Sequence, residues 1–249
     1  MWTNIDLRKC VSFIECGFQV KSEEGTSSRV RPAITISRMT GAGGHAIASK
    51  LADYLHSRFP RQEEWTVFDR NLVGKILEDH HHNKHIAEFM QEGHKTMLTD
   101  VVEEWMGLHP GTWTLVQQTN ATLLKLAQMG RVILVGRGAS VVAGKLANAF
   151  HVRLVGSLEK RINHLQRVHN LDQKSALRLL KKEDEDRRRY LKDNFDKDID
   201  DPLLYHVIIN TDRVDHDQAA GLIGDEVIKR FKLASQEKSA GIARTRIQH

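Results

Sequence analysis

Between Ala33 and Ala52 a β-branched run, Ala33-Ile-Thr-Ile-Ser37, ends in a glycine-rich turn and passes at once into an apolar-periodic helix. A parallel sheet uses that order to present backbone N–H groups and a helix N-terminus to an anion. Gly41, Gly43 and Gly44 permit the positive φ and close backbone approach of a phosphate cradle, with Ala42 and His45 completing the loop. A full phosphate loop reads G-x-x-x-x-G-K-[ST], its lysine reaching the β/γ-phosphates and its hydroxyl a Mg²⁺ ion. Here Gly44 stands at the lysine position, and neither His45 nor Ala46 offers the hydroxyl. On the loop alone, a phosphate cradle and a ligand-free strand-to-helix turn both stay open. Arg38, directly before the turn, is the candidate replacement cation, because a guanidinium fork matches phosphate oxygens.

The rest of the chain repeats the alternation. Strands are expected at 33–37, 65–68, 132–135, 152–155 and 207–209, and helices at 45–58, 71–79, 84–105, 112–129, 157–169, 172–194 and 215–231. Short apolar strands alternating with helices imply a three-layer α/β fold, a parallel sheet with helices on both faces. Its ligand edge would lie at the strand C-termini. Residues 1–32 read as an extension and linker, 33–231 as the α/β domain, and 232–249 as a polar basic tail. Within the domain, 84–130 form a helical insert and 172–195 a lid region. The insert reads as an acceptor-binding domain or as a surface against a second subunit, a homodimer.

Composition excludes little. A hydrophobic content of 40%, a charged content of 28% and a net charge of +5 suit a globular protein with anionic ligands, and are too mild to argue for nucleic acid. Cys10 and Cys16 build neither a disulfide framework nor a CxxC metal site. No apolar run approaches the roughly 20 residues of a membrane helix, and a cytoplasmic location is the expectation. His81 and His85 share the i,i+4 spacing of metal ligands, with His80 and His82 beside them, but read better as a solvated helix end. No metal ligand is assigned.

Three further segments carry candidates. Phe68-Asp-Arg70 ends the second strand, with Asp69 either capping the next helix or, with Arg70, facing an acceptor pocket. Val132-Ile-Leu-Val-Gly-Arg-Gly-Ala139 releases Arg137 between two glycines at the sheet edge. Asp184, Arg187 and Arg188 lie within about one helical turn, and Arg161 and Arg167 on the preceding helix extend the set of cations. A solvated helix laced with ion pairs is the plain alternative for this last group.

Together these motifs resemble the cytidylate kinase-like family, within the P-loop nucleoside monophosphate kinases. The matching residues are Ile36-Ser-Arg-Met-Thr-Gly-Ala-Gly-Gly44, Phe68-Asp-Arg70, Val135-Gly-Arg-Gly-Ala139, Val152-Arg-Leu-Val155 with Leu158-Glu-Lys-Arg161, Asp184-x-x-Arg187-x-x-Tyr190, and Tyr205-His-Val-Ile-Ile-Asn-Thr211. The resemblance implies a P-loop fold with a mobile lid, ATP with Mg²⁺, and a nucleoside monophosphate acceptor, CMP or dCMP. It puts Gly41, Ala42, Gly43, Gly44 and His45 on the donor phosphates. Asp69, Arg70 and Arg137 fall on the acceptor side, and Asp184 and Arg187 on the lid motif whose arginines clamp the transferring phosphate. If the chain is a kinase, Asp184 joins the substrate-binding residues, and Arg38, Arg137 and Arg187 are the principal catalytic cations. Typical members carry Gly-Ala-Gly-Lys-Gly-Thr where this chain has Gly41-Ala-Gly-Gly-His-Ala46, and an aspartate where it has Gly138. A nucleotide-binding protein that senses or scaffolds without turnover therefore stands as the alternative.

Overall fold

The computed structural model describes residues 30–60, 64–69, 115–136 and 138–234. Five strands, β1 (Ala33–Arg38), β2 (Thr66–Asp69), β3 (Val132–Val135), β4 (Ala149–Val155) and β5 (Val207–Asn210), form one sheet in the order β2-β3-β1-β4-β5. Every pairing is parallel. With β1 in the centre, its C-terminal end is flanked by those of β3 and β4, so the glycine turn opens at the middle of the sheet's C-terminal edge. That is the ligand edge the alternating pattern implies.

The helices are α1 (Gly44–Arg58), α2 (Leu115–Met129), α3 (Ala139–Val142), α4 (Leu158–His169), α5 (Gln173–Phe195) and α6 (His216–Arg230). α1 buries Ile47, Leu51 and Leu55 at four-residue intervals, and α6 buries Ala219, Ile223 and Val227 in the same way. These stripes cover one face of the sheet, against Ile34, Ile36, Phe150, Val152 and Leu154. The core continues to Leu233, just inside the stretch read as tail. α2 and α3 pack against β1 from the other side, giving the three layers. No helix among the described residues is long and apolar enough to cross a membrane.

β4 begins at Ala149, earlier than the apolar run alone suggests. His151 interrupts the hydrophobic pattern but is buried, and its Nδ1 lies 2.8 Å from the Thr35 hydroxyl across the β1–β4 ladder. A satisfied polar pair thus continues a strand that a hydropathy reading cuts short.

α4 and α5 form a helical hairpin that shares its own small core of Ile162, Leu165, Ala176 and Leu180. Ser157 and Asp172 cap the two helix N-termini through Lys160 N–H and Ser175 N–H. This hairpin carries the segment expected to act as a lid. The expected helices at 71–79 and 84–105 lie outside the described residues, as do Arg70, Arg137 and the four histidines near residue 80.

Candidate functional site

The turn after β1 is shaped by what crowds it. Gly41 and Gly43 adopt φ of 82° and 77°, a region that suits glycine. A Cβ on Gly41 would lie 2.6 Å from the Arg161 carbonyl oxygen, and one on Gly43 would overlap the His216 ring. α1 then begins at Gly44 with no side-chain cap, at the C-terminal edge of the sheet. Such a terminus concentrates backbone N–H donors and the positive end of the helix dipole. At Gly44, where a phosphate loop ordinarily carries lysine, the Arg38 Cγ lies 3.0 Å from the place a Cβ would occupy. The Arg38 stem therefore crosses the space that the missing side chain leaves.

Two arginines of the helical hairpin reach the same turn. Arg161 donates to the Thr40 carbonyl at 3.3 Å and to Asp184 Oδ2 at 2.6 Å, and its Nε donates to the Gly156 carbonyl. Arg187 donates to the Thr40 hydroxyl and, at 2.6 Å, to Glu183. Asp184 Oδ1 accepts from the Thr40 N–H at 2.7 Å and the Thr40 hydroxyl at 2.6 Å. Arg161 and Arg187 are only 9% and 7% exposed, so two desolvated guanidinium groups are held against the glycine turn. Buried cations are tolerated only when paired, and the two carboxylates supply that pairing. The Arg187 Nε is buried with no hydrogen-bond partner among the described residues, so its donor capacity is incompletely used there.

Opposite the hairpin, the Asp69 side chain is 4% exposed at the end of β2, and its Oδ2 lies 3.6 Å from the half-exposed His45 Nε2. Burial against the loop and the nearby charge of Arg38 hold the His45 imidazole below its ordinary value, while Asp69 pulls it the other way. The imidazole is thus biased towards its neutral form.

Gly138 is explained by α5. Its φ is 77°, and a Cβ there would lie 2.9 Å from the Phe195 ring and 3.2 Å from that of Tyr190. The two rings meet edge to face at the C-terminal end of α5, and the Tyr190 hydroxyl donates to Asn120 on α2. The aromatic end of α5 occupies the space that an aspartate would need.

The structure thus brings Arg38, the loop 41–45, Asp69, Asp184 and Arg187 to one edge. Arg167 is exposed on α4, and Arg188 is exposed but tied to Glu185 and Asp200. Sequence reasoning gave no role to Thr40 or Glu183, and named Arg161 only as one of several cations. It also passed over Arg153, a charge inside the apolar run Val152-Arg-Leu-Val155. Arg153 is 4% exposed, donates to Ser37 at 2.9 Å and Asp200 at 2.6 Å, and lies over the Tyr205 ring. Burial would raise the Asp200 carboxyl, but hydrogen bonds and charge from Arg188 and Arg153 bring it below its usual value. An arginine within a short apolar strand was the available signal, since such a charge must find a partner.

A sequence model of the cytidylate kinase-like family matches residues 33–213. Among curated proteins, none matches the chain. Among solved structures, an uncharacterized protein from Eubacterium ventriosum is similar over 80% of this chain and 99% of its own, with 20% identity and a TM-score of 0.59. Shikimate kinases from Bacteroides thetaiotaomicron and Acinetobacter baumannii align over 81% of the chain and 98% and 95% of theirs, at 12% and 16% identity and TM-scores of 0.41 and 0.40.

Proposed function

This chain belongs to the cytidylate kinase-like family, and we propose that it transfers the γ-phosphoryl group of ATP to a nucleoside monophosphate, CMP or dCMP. The observation that carries the reading is the convergence of buried Arg161 and Arg187 on a lysine-free glycine turn that Arg38 also crosses. Two paired but desolvated guanidinium groups and a helix N-terminus form an electrostatic cradle for a polyphosphate.

In this reading the turn 41–45 and the start of α1 hold the donor's β-phosphate. An oxygen of the acceptor monophosphate attacks the γ-phosphorus in line, and the bond to the β–γ bridging oxygen breaks to leave ADP. Arg38 and Arg187 take up charge on the equatorial oxygens, the role that fixed cations play in phosphoryl transfer. Arg161 orients the loop through the Thr40 carbonyl, and Asp184 holds the lid against it. Asp69, with Arg70 and Arg137 beyond the described residues, is assigned to the acceptor side. A divalent cation such as Mg²⁺ supplies further charge neutralisation when bound. Asp69 and His45 are the described residues at this edge whose oxygen and nitrogen donors fit one.

The glycine at position 44 favours a second reading, nucleotide binding without turnover, since loss of one transition-state cation costs about two to three decades in rate. ADP release from ATP, in Mg²⁺ and separately in Mn²⁺, against CMP, dCMP, UMP, AMP and GMP separates the two. Acceptor-dependent release establishes the kinase and names its substrate. ATP affinity without release under any condition establishes the binding protein.

A further inference from the structure

We propose, building on the kinase reading, that His45 and Asp69 form a mixed nitrogen–oxygen divalent-metal site whose preferred ion is Mn²⁺ rather than Mg²⁺. His45 directly follows Gly44, the position of the loop lysine, and Ala46 stands where family members carry threonine, so the loop offers a metal no hydroxyl there and His45 is its nearest donor side chain. The structure turns that side chain towards Asp69, 3.6 Å away. This separation exceeds the 2.7–2.9 Å or so of a charge-assisted hydrogen bond. Two ligands each about 2.1 Å from one ion lie about 3.0 Å apart in octahedral and about 3.4 Å apart in tetrahedral geometry. A small rotation of the half-exposed imidazole closes the difference.

Both ligands stand on rigid elements. Asp69 ends β2 with its carboxylate almost wholly buried, and His45 lies in the first turn of α1. Among the described residues no third histidine, cysteine or carboxylate joins them. Phosphate oxygens and water must therefore complete the shell, as is usual where a metal rides on a nucleotide.

The donor set favours a transition ion over Mg²⁺. Mg²⁺ prefers oxygen throughout and yields its waters reluctantly. An imidazole nitrogen suits first-row transition ions, of which Mn²⁺ also accepts carboxylate, phosphate and water. Field and occupancy are linked as well: the Arg38 stem lies beside Gly44 and Arg187 is held on Thr40 of the same turn, so two cations oppose the attraction of the one carboxylate, Asp69, for a bare metal ion. The polyphosphate must reverse the local charge, and metal affinity depends on bound nucleotide.

Pulsed electron paramagnetic resonance of Mn²⁺ with ADP and the full-length protein tests the site, alongside calorimetry of ADP binding without metal. The expected result is a histidine nitrogen coupling to Mn²⁺ that changes on ¹⁵N-histidine labelling and is lost in His45→Ser. In competition, that variant should lower the Mn²⁺-over-Mg²⁺ preference of the ADP complex at least tenfold, and Asp69→Asn should weaken Mn²⁺ binding with ADP by a similar factor. Labelling the unmutated protein keeps the test independent of whether either variant folds. If ADP binds but Mn²⁺ shows no histidine nitrogen, the metal site falls and the kinase reading stands. If ADP does not bind with or without metal, both fall.

Discussion

Asp184 of α5 accepts hydrogen bonds from both the backbone N–H and the hydroxyl of Thr40, a residue 144 positions earlier in the glycine turn. The same carboxylate takes the Arg161 guanidinium at 2.6 Å, so one side chain ties α4, α5 and the turn together. Asp184 is therefore the residue that couples the α4–α5 hairpin to the glycine turn.

Replacing Asp184 by alanine leaves Arg161 buried without its carboxylate. A broken buried pair costs about 3–5 kcal/mol. The Asp184 side chain is 22% exposed, so the expected loss is smaller, about 2–3 kcal/mol, once solvent screening is allowed for. Urea denaturation measures it. Combining Asp184→Ala with Thr40→Val should cost less than the sum of the single changes, because both remove the bond between the Thr40 hydroxyl and the Asp184 carboxylate.

Arg187→Ala should lower the kcat of acceptor-dependent turnover about 10²- to 10³-fold, the usual effect of removing one preorganised charge from a transition state. Arg187→Lys keeps the charge but loses the fork that spans Thr40 and Glu183, and should recover only part of the rate. Steady-state kinetics on both variants, with circular dichroism to confirm folding, reads the difference. Full recovery by lysine would show that charge alone matters.

Gly43→Ala meets two separate penalties, a left-handed φ of 77° and overlap with the His216 ring. Strain of this kind costs about 1–3 kcal/mol. Adding His216→Ala should recover the steric share and leave the backbone share. The thermal midpoints of the two variants therefore separate the contributions.

Acid should destabilise the fold through His151. Burial, followed by the neighbouring charges of His206 and Arg230, lowers its pKa from 6.5 to about 4. A depressed histidine pKa means that the unfolded chain binds the proton first. Its stabilising contribution is present above pH 6.5 and is lost progressively as the pH falls towards 4. The full effect is about 3 kcal/mol at roughly 1.4 kcal/mol per pH unit. Denaturation midpoints between pH 7 and 4.5 should fall, and fall less steeply in His151→Gln. Parallel slopes would assign the acid sensitivity to other groups.

Much of this architecture was written locally. The change from the continuously buried, β-branched run Ala33–Ser37 to the four-residue stripe of Ile47, Leu51 and Leu55 announces a central strand, a tight turn and a helix, because each pattern matches one backbone geometry. Repetition of that change along the chain implies a parallel sheet, and the glycines mark where its ligand edge opens. The resemblance to the family rests on short motifs of the same local kind. Arg187 was legible as one of a charged cluster, although helical spacing left it equally at home on a solvated surface.

The partners of those charges were decided in three dimensions. Nothing near Asp184 names Thr40, nothing near Arg153 names Ser37 or Asp200, and nothing near His45 names Asp69. Each pairing depends on the strand order β2-β3-β1-β4-β5, which sets side by side segments far apart in the chain. Local sequence sets backbone preference and which faces seek burial, since both act over a few residues. Whether an arginine becomes a solvated surface group or a desolvated cation at a phosphate loop depends on the dielectric and the partners around it. Those exist only once the sheet has assembled and the lid helix has docked.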